Sequence, residues 1–105
     1  MKVNAEVDTL LNKIVKDLED AKAKDIQIIN IKNRSALGDY MIIVSGTSSR
    51  HINSIVSNIV KLNKTHILST EGINSTDWLI VDFGDIILNV FNDYLKFSFP
   101  NLLFG

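Results

Sequence analysis

Cysteine is absent from this chain of 105 residues, which removes disulfides, zinc fingers and thiol catalysis at one stroke. Its absence fits a reducing compartment. Proline occurs once, at Pro100, and argues only against an uninterrupted helix in the tail. No apolar run approaches the ~20 residues that cross a bilayer. The opening "MKVNAEVDTLLNKIVKDLEDAKAKD" lacks both the apolar core of a signal peptide and the acid-poor, arginine-rich pattern of a transit peptide. The expected location is the cytoplasm. Charge of one sign is scarce as well: the net value is −1. Affinity for nucleic acid rests largely on neutralised phosphates, so this balance argues against a generic polyanion coat and leaves room only for a local basic patch.

Apolar residues make up 46% of the chain, enough for one modest core in a single domain spanning residues 1–105. Val7, Leu10, Leu11, Ile14, Val15, Leu18 and Ala21 recur at helical spacing and predict an amphipathic helix over 5–23. "DIQIINI" reads as a strand and "KNRSALGD" (32–39) as a loop. "YMIIVS" (40–45) is nearly continuously apolar, the pattern of a strand covered on both faces. Ile52, Ile55, Val56, Ile59 and Val60 share one face of a second helix within residues 52–64. "THILST" (65–70) reads as a short strand, and "EGINSTD" (71–77) as a turn-rich connection. "WLIVDF" (78–83) and "IILNVF" (86–91) flank a Gly84-Asp85 turn and predict an antiparallel hairpin. The tail "NDYLKFSFPNLLFG" is aromatic and has no clear period. This order implies an α/β fold, a mixed sheet of about five strands with helices packed on it.

"SGTSSRH" (45–51) sits at the junction between strand and second helix. Such a loop can cradle an anion, because free N–H groups and the helix dipole point at it. The spacings that bind nucleotide phosphates, G-x-x-x-x-G-K-[ST] and G-x-G-x-x-G, are missing. Ser48 or Ser49 serves more simply as the helix N-cap, worth about 1 kcal/mol. Arg50 in a first turn opposes the helix dipole, so either it serves an anion, a partner carboxylate, Asp39 or Asp85, or it is a solvated surface charge. His51 is either a titrating or ligating group or a structural hydrogen-bonding residue.

A nucleotidyltransferase would need a D-x-D pair to hold two metal ions. None occurs, and in "VDFGD" Asp82 and Asp85 lie on either side of a turn. His51 and His66 have no metal-binding spacing, and no G-x-S-x-G elbow supports a serine triad. No enzyme activity, cofactor or metal is expected. Alternation in the predicted strand places Leu79, Val81 and Phe83 on one face and Trp78, Ile80 and Asp82 on the other. A Trp, an Ile and a carboxylate on one face fit a protein-contact patch. They fit equally a face covered by the other helix.

"DYMIIVSGTSSRH", "STEG", "DWLIVDFGDIILNVF" and the aromatic tail, as an ordered set from about Ser35 onward, resemble the ribosomal silencing factor (RsfS, Iojap-like) family. The resemblance implies a nucleotidyltransferase-like topology without its catalytic acids. It implies binding to the large ribosomal subunit through ribosomal protein L-fourteen, which obstructs small-subunit joining and represses translation when nutrients are short. Homodimerisation of the free protein, and a part in large-subunit assembly among organelle relatives, are implied as well. On this basis Trp78 and Ile80 are the expected apolar anchor. Asp82 and Asp85 are expected to pair with basic residues of the partner, and Arg50 and His51 to shape the adjoining surface or hold Asp39. The alternatives are a nucleotidyltransferase-like enzyme and a dimeric large-subunit assembly adaptor. Two positions depart from the pattern. Asn89 stands where the family usually has His, and the tail carries Phe97, Phe99, Pro100 and Leu103 where a Y-x-L-E-x-L-W run is usual.

Overall fold

The structure, a computed structural model, describes residues 4–33, 38–73 and 77–95. Helix α1 (Asn4–Asp20) leads into strand β1 (Lys24–Asn30), β2 (Tyr40–Gly46) and helix α2 (Ser49–Leu62). A single 3-10 turn (Lys64–His66) precedes β3 (Ser69–Ile73), β4 (Trp78–Asp82) and β5 (Ile86–Asn92). The strands form one mixed sheet in the order β1-β2-β5-β4-β3. Only β2 and β5 run parallel; the other three pairings are antiparallel. The expected α/β architecture of five strands and two helices is what the chain adopts.

Both helices lie on the same face of that sheet. Val7, Leu10, Leu11, Ile14 and Leu18 of α1 and Ile52, Ile55 and Ile59 of α2 form one cluster with Ile42, Val44, Val81, Ile86, Leu88 and Val90. The strand residues in this cluster come from alternate positions, as a pleated sheet requires. The helices also meet through a polar clamp. Lys13 Nζ donates to Asp17 (2.9 Å), to the Leu62 carbonyl (3.1 Å) and to Asn63 Oδ1 (3.0 Å). Asn63, 1% exposed, donates in turn to Asp17 (3.1 Å) and the Ile59 carbonyl (3.0 Å). One lysine and one buried amide thus satisfy carbonyls that the last turn of α2 leaves without helical partners, and α2 ends there, two residues before the predicted limit.

Helix α1 also ends early, at Asp20 instead of residue 23. The Ala23 N–H donates to the Leu18 carbonyl and the Lys22 N–H to the Glu19 carbonyl, each at 3.0 Å, with Lys22 at φ 65°. This is the Schellman arrangement, usually built on glycine. A lysine in the left-handed region gave no sequence signal for it.

The segment 65–77 is the second departure. The strand begins at Ser69 and runs through "STEGI", taking in the front of the predicted connection, while Lys64–His66 coil into a helical turn. β3 is an edge strand whose Ser69, Thr70 and Glu71 are exposed. With no buried face it has no alternation to read, and its pairing with β4, Glu71 opposite Ile80, is what defines it. The β4–β5 hairpin forms as expected. Asp82 Oδ1 accepts from the Gly84 N–H at 2.7 Å, and Gly84 takes φ +91°, a value that favours glycine. The predicted aromatic tail beyond Leu95 lies outside the described residues.

Candidate interaction surface on the open sheet face

The second face of the sheet carries neither α1 nor α2; among the described residues beyond the strands, Leu95 packs on it. Cross-strand register defines its rows. Gln27, Ile43, Asn89, Ile80 and Glu71 lie side by side across the five strands. A parallel row runs Ile29, Met41, Ile87, Asp82 and Ser69, and Ser45, Phe91 and Trp78 make a third. Ile43 and Phe91 are buried, with Ile29, Met41, Trp78 and Leu95 packed against them half-exposed. β2 is thus buried on both faces from Ile42 onward, as its nearly continuous apolar run predicts: under the helices on one side, and among its sheet neighbours and Leu95 on the other.

Trp78 is held in place on this surface. Its ring centroid lies 4.5 Å from that of Phe91 with the planes inclined at 38°, a tilted contact within the range of favourable aromatic pairs. Its indole N–H donates to Asn89 Oδ1 at 3.1 Å. Beside it, Asp77 braces the ends of β4 and β5. The Asp77 carboxylate accepts from Tyr94 Oη at 2.6 Å and from Asn92 Nδ2 at 3.2 Å, and its carbonyl accepts from the Asn92 N–H at 2.8 Å. The bond to Asp77 raises the Tyr94 phenol above its ordinary value, with desolvation and the charge of Asp77 acting in the same direction.

The six predicted residues do not form one cluster. Trp78, Ile80 and Asp82 share the open face, as alternation required. Asp82 spends one oxygen on the Gly84 turn. Asp85 sits in that turn at the far end of the sheet, where its carbonyl accepts from both the Asp39 N–H (2.7 Å) and the Tyr40 N–H (3.1 Å). Arg50 and His51 belong to the first turn of α2 beyond the opposite end of β2. Among the described residues no hydrogen bond or ion pair joins either of them to Asp39 or Asp85.

The loop "SGTSSRH" has a structural explanation. Ser48, extended at φ −157° and ψ 165°, caps α2 by accepting from the His51 N–H at 3.1 Å. His51 Nδ1 accepts from the Thr47 N–H at 3.0 Å, so its proton sits on Nε2, which donates to the Ala21 carbonyl at 3.3 Å. One imidazole ties the loop to the end of α1. Gly46 leaves room for this packing: a Cβ there would lie 3.2 Å from His51 Nδ1 and 3.1 Å from Ile52 Cγ1, so both side chains would have to give by a few tenths of an ångström. Arg50 is exposed. Among the described residues no group of three metal-ligating side chains occurs, and no helix is long and apolar enough to cross a membrane.

Sequence reasoning missed Asn89 as a contact to Trp78, and it missed Ile43, Met41, Ile87 and Phe91 as neighbours. Alternation within β2 and β5 carried the signal, but only cross-strand register shows which alternate residues join which.

Comparison with known proteins bears on this surface. A family profile described as "Ribosomal silencing factor during starvation" matches residues 4–94. The chain belongs to the ribosomal silencing factor family. It is 33% identical over 96 residues to the ribosomal silencing factor RsfS of Zymomonas mobilis, covering 89% of this chain and 71% of that one. It is also 33% identical over 87 residues to the mouse protein named mitochondrial assembly of ribosomal large subunit protein 1, covering 76% of this chain and 38% of the mouse protein. A crystal structure of a Chromobacterium violaceum protein superposes with a TM-score of 0.77 at 26% identity, covering 96% of this chain and 83% of that one. The family's described role is ribosome silencing, a regulatory activity with no reaction in its name.

Proposed function

We propose that this protein silences ribosomes by occlusion: it sits on the large subunit through the open sheet face, bound chiefly to ribosomal protein L-fourteen, and keeps the small subunit from joining. No chemical step is involved. The observation that carries this reading is an apolar sheet face that neither α1 nor α2 covers, centred on Trp78, Ile43, Ile80 and Phe91. Its strand positions on β2, β4 and β5 include the carboxylate of Asp82 and no lysine or arginine, and Glu71 of β3 adds a second acid. Lys24 of β1, opposite Ser45, stands at the sheet edge; phosphate backbones are bound through cations, so a face bearing these two acids suits a basic protein better than ribosomal RNA. Large-subunit association is in keeping with the name of the mouse relative.

Trp78 and Ile80 act as apolar anchors, with Asp82 and Asp85 toward basic groups of the partner at one end and Arg50 and His51 bordering the surface at the other. Occlusion follows from bulk. A body of 36 × 30 × 21 Å standing on a surface that another subunit must touch leaves no room for it, and repression then scales with occupancy. A free homodimer would bury the same apolar face and compete with the subunit for it. The reading is tested by adding the protein to purified large subunits and sedimenting them with and without small subunits. The expected result is comigration with the large subunit and loss of the joined particle. Comigration with normal joining would overturn the occlusion mechanism, and no comigration would leave the assembly-adaptor or dimer reading instead.

A further inference from the structure

At the centre of the open face, where every flanking position is apolar, stands one amide. Asn89 lies between Ile43 and Ile80 in its row and next to Phe91 along its own strand face. It is only 6% exposed. An indole N–H can only donate, so the Trp78 contact requires the Asn89 oxygen to face it, and the orientation of the amide follows from chemistry. Its nitrogen, with two donors, then points away from Trp78. Among the described residues nothing accepts from it, and no buried polar side-chain atom is without a partner. The nitrogen therefore reaches solvent through the small exposed part of the residue, in the middle of an apolar patch.

We infer that Asn89 is a specificity-determining contact: its amide nitrogen donates to a carbonyl or carboxylate oxygen that the partner protein presents from among apolar side chains. The inference rests on the open face being the binding surface. Docking an apolar surface on this face would strip water from the Asn89 donors, and an unsatisfied buried donor is costly. A partner with an acceptor at that point is favoured over one without it, by the same logic that makes a single polar group in an apolar pocket selective. The oxygen of Asn89 meanwhile fixes the Trp78 ring, so one side chain both positions the anchor and reads the partner.

The test measures affinity for purified large subunits of the wild-type protein and of Asn89→Asp, Asn89→Leu, Asn89→His and Trp78→Ala. Folding is followed by circular dichroism and, in the Asn89 variants, also by Trp78 emission. Asn89→Asp keeps an acceptor for Trp78 but replaces the donor with a negative oxygen. Asn89→Leu removes the donor with little change of size. Asn89→His retains one acceptor and, when neutral, one donor. We expect Asn89→Asp and Asn89→Leu to weaken binding about tenfold or more, and Asn89→His to keep most of it. Should the Asp variant fail to fold, the Leu and His pair decides. Wild-type affinity in both Asn89→Asp and Asn89→Leu, with Trp78→Ala weakened, overturns the role of Asn89 and leaves the surface intact. Wild-type affinity in Trp78→Ala as well overturns the surface itself, and this inference with it.

Discussion

The two faces of the sheet are built from the same strands and in similar apolar residues, yet they close in different ways. On the helix side, Ile14, Leu18, Ile42, Ile52, Ile55, Ile59 and Leu88 are shut away completely, and the polar clamp of Lys13, Asp17 and Asn63 sits at the rim of the helix pair. On the open side the amide sits in the middle and the aromatic ring beside it stays half-exposed. A face meant to be permanent puts its hydrogen bonds at the margin and completes them internally. A face meant for a partner can carry an incomplete one at its centre.

The comparison is broken most directly by truncation on each side. Ile55→Ala, under the helices and wholly buried, should cost about 2–5 kcal/mol of stability by chemical denaturation while leaving the binding of the folded fraction unchanged. Trp78→Ala should do the reverse. We expect about 2 kcal/mol of lost affinity for large subunits, roughly thirtyfold, and a smaller fall in thermal midpoint than Ile55→Ala produces. If Trp78→Ala lowers stability as much as Ile55→Ala and spares affinity, the open face is core and the contrast disappears.

Smaller effects sharpen it. Asn63→Ala removes the buried amide of the clamp and should cost about 1–2 kcal/mol, because the groups it bonded lose a partner; urea unfolding measures it. Lys22→Gly should stabilise the fold by up to about 1 kcal/mol, since it relieves the left-handed strain at φ 65° that ends α1. The smallest effect lies beside Trp78. Tyr94 is raised from 10.0 by its bond to Asp77, so its hydroxyl proton, and the small stabilisation that bond gives, are present below pH 10 and disappear only as pH climbs through the higher folded value. An ultraviolet titration should place its midpoint above that of free tyrosine, and Asp77→Asn should bring it down.

Legibility in the sequence followed burial. α1, α2 and the β4–β5 hairpin were readable from the periods their buried faces impose, and β2 from the unbroken apolar run of a strand buried on both faces. β3 was not, because Ser69, Thr70 and Glu71 are exposed and only hydrogen bonding to β4 makes them a strand. The end of α1 was misplaced because Lys22 does what glycine usually does. Trp78, Ile80 and Asp82 were assigned to one face correctly, but periodicity cannot say whether a helix lies over that face. Asp85, Arg50 and His51 were grouped with them by motif, and the backbone sends them to opposite ends of the sheet.

The strand order has a consequence for how the protein comes into being. Among the described residues β5 is the last strand in sequence and the middle one in the sheet, flanked by β2 and β4. During synthesis the β1–β2 and β3–β4 pairs emerge before the strand that lies between them in the sheet. Loop closure between β2 and β5 must wait until residue 92 has cleared the exit tunnel. The sheet face proposed here as the docking surface, which β2, β5 and β4 make together, is therefore completed only by the last of its strands to be synthesised.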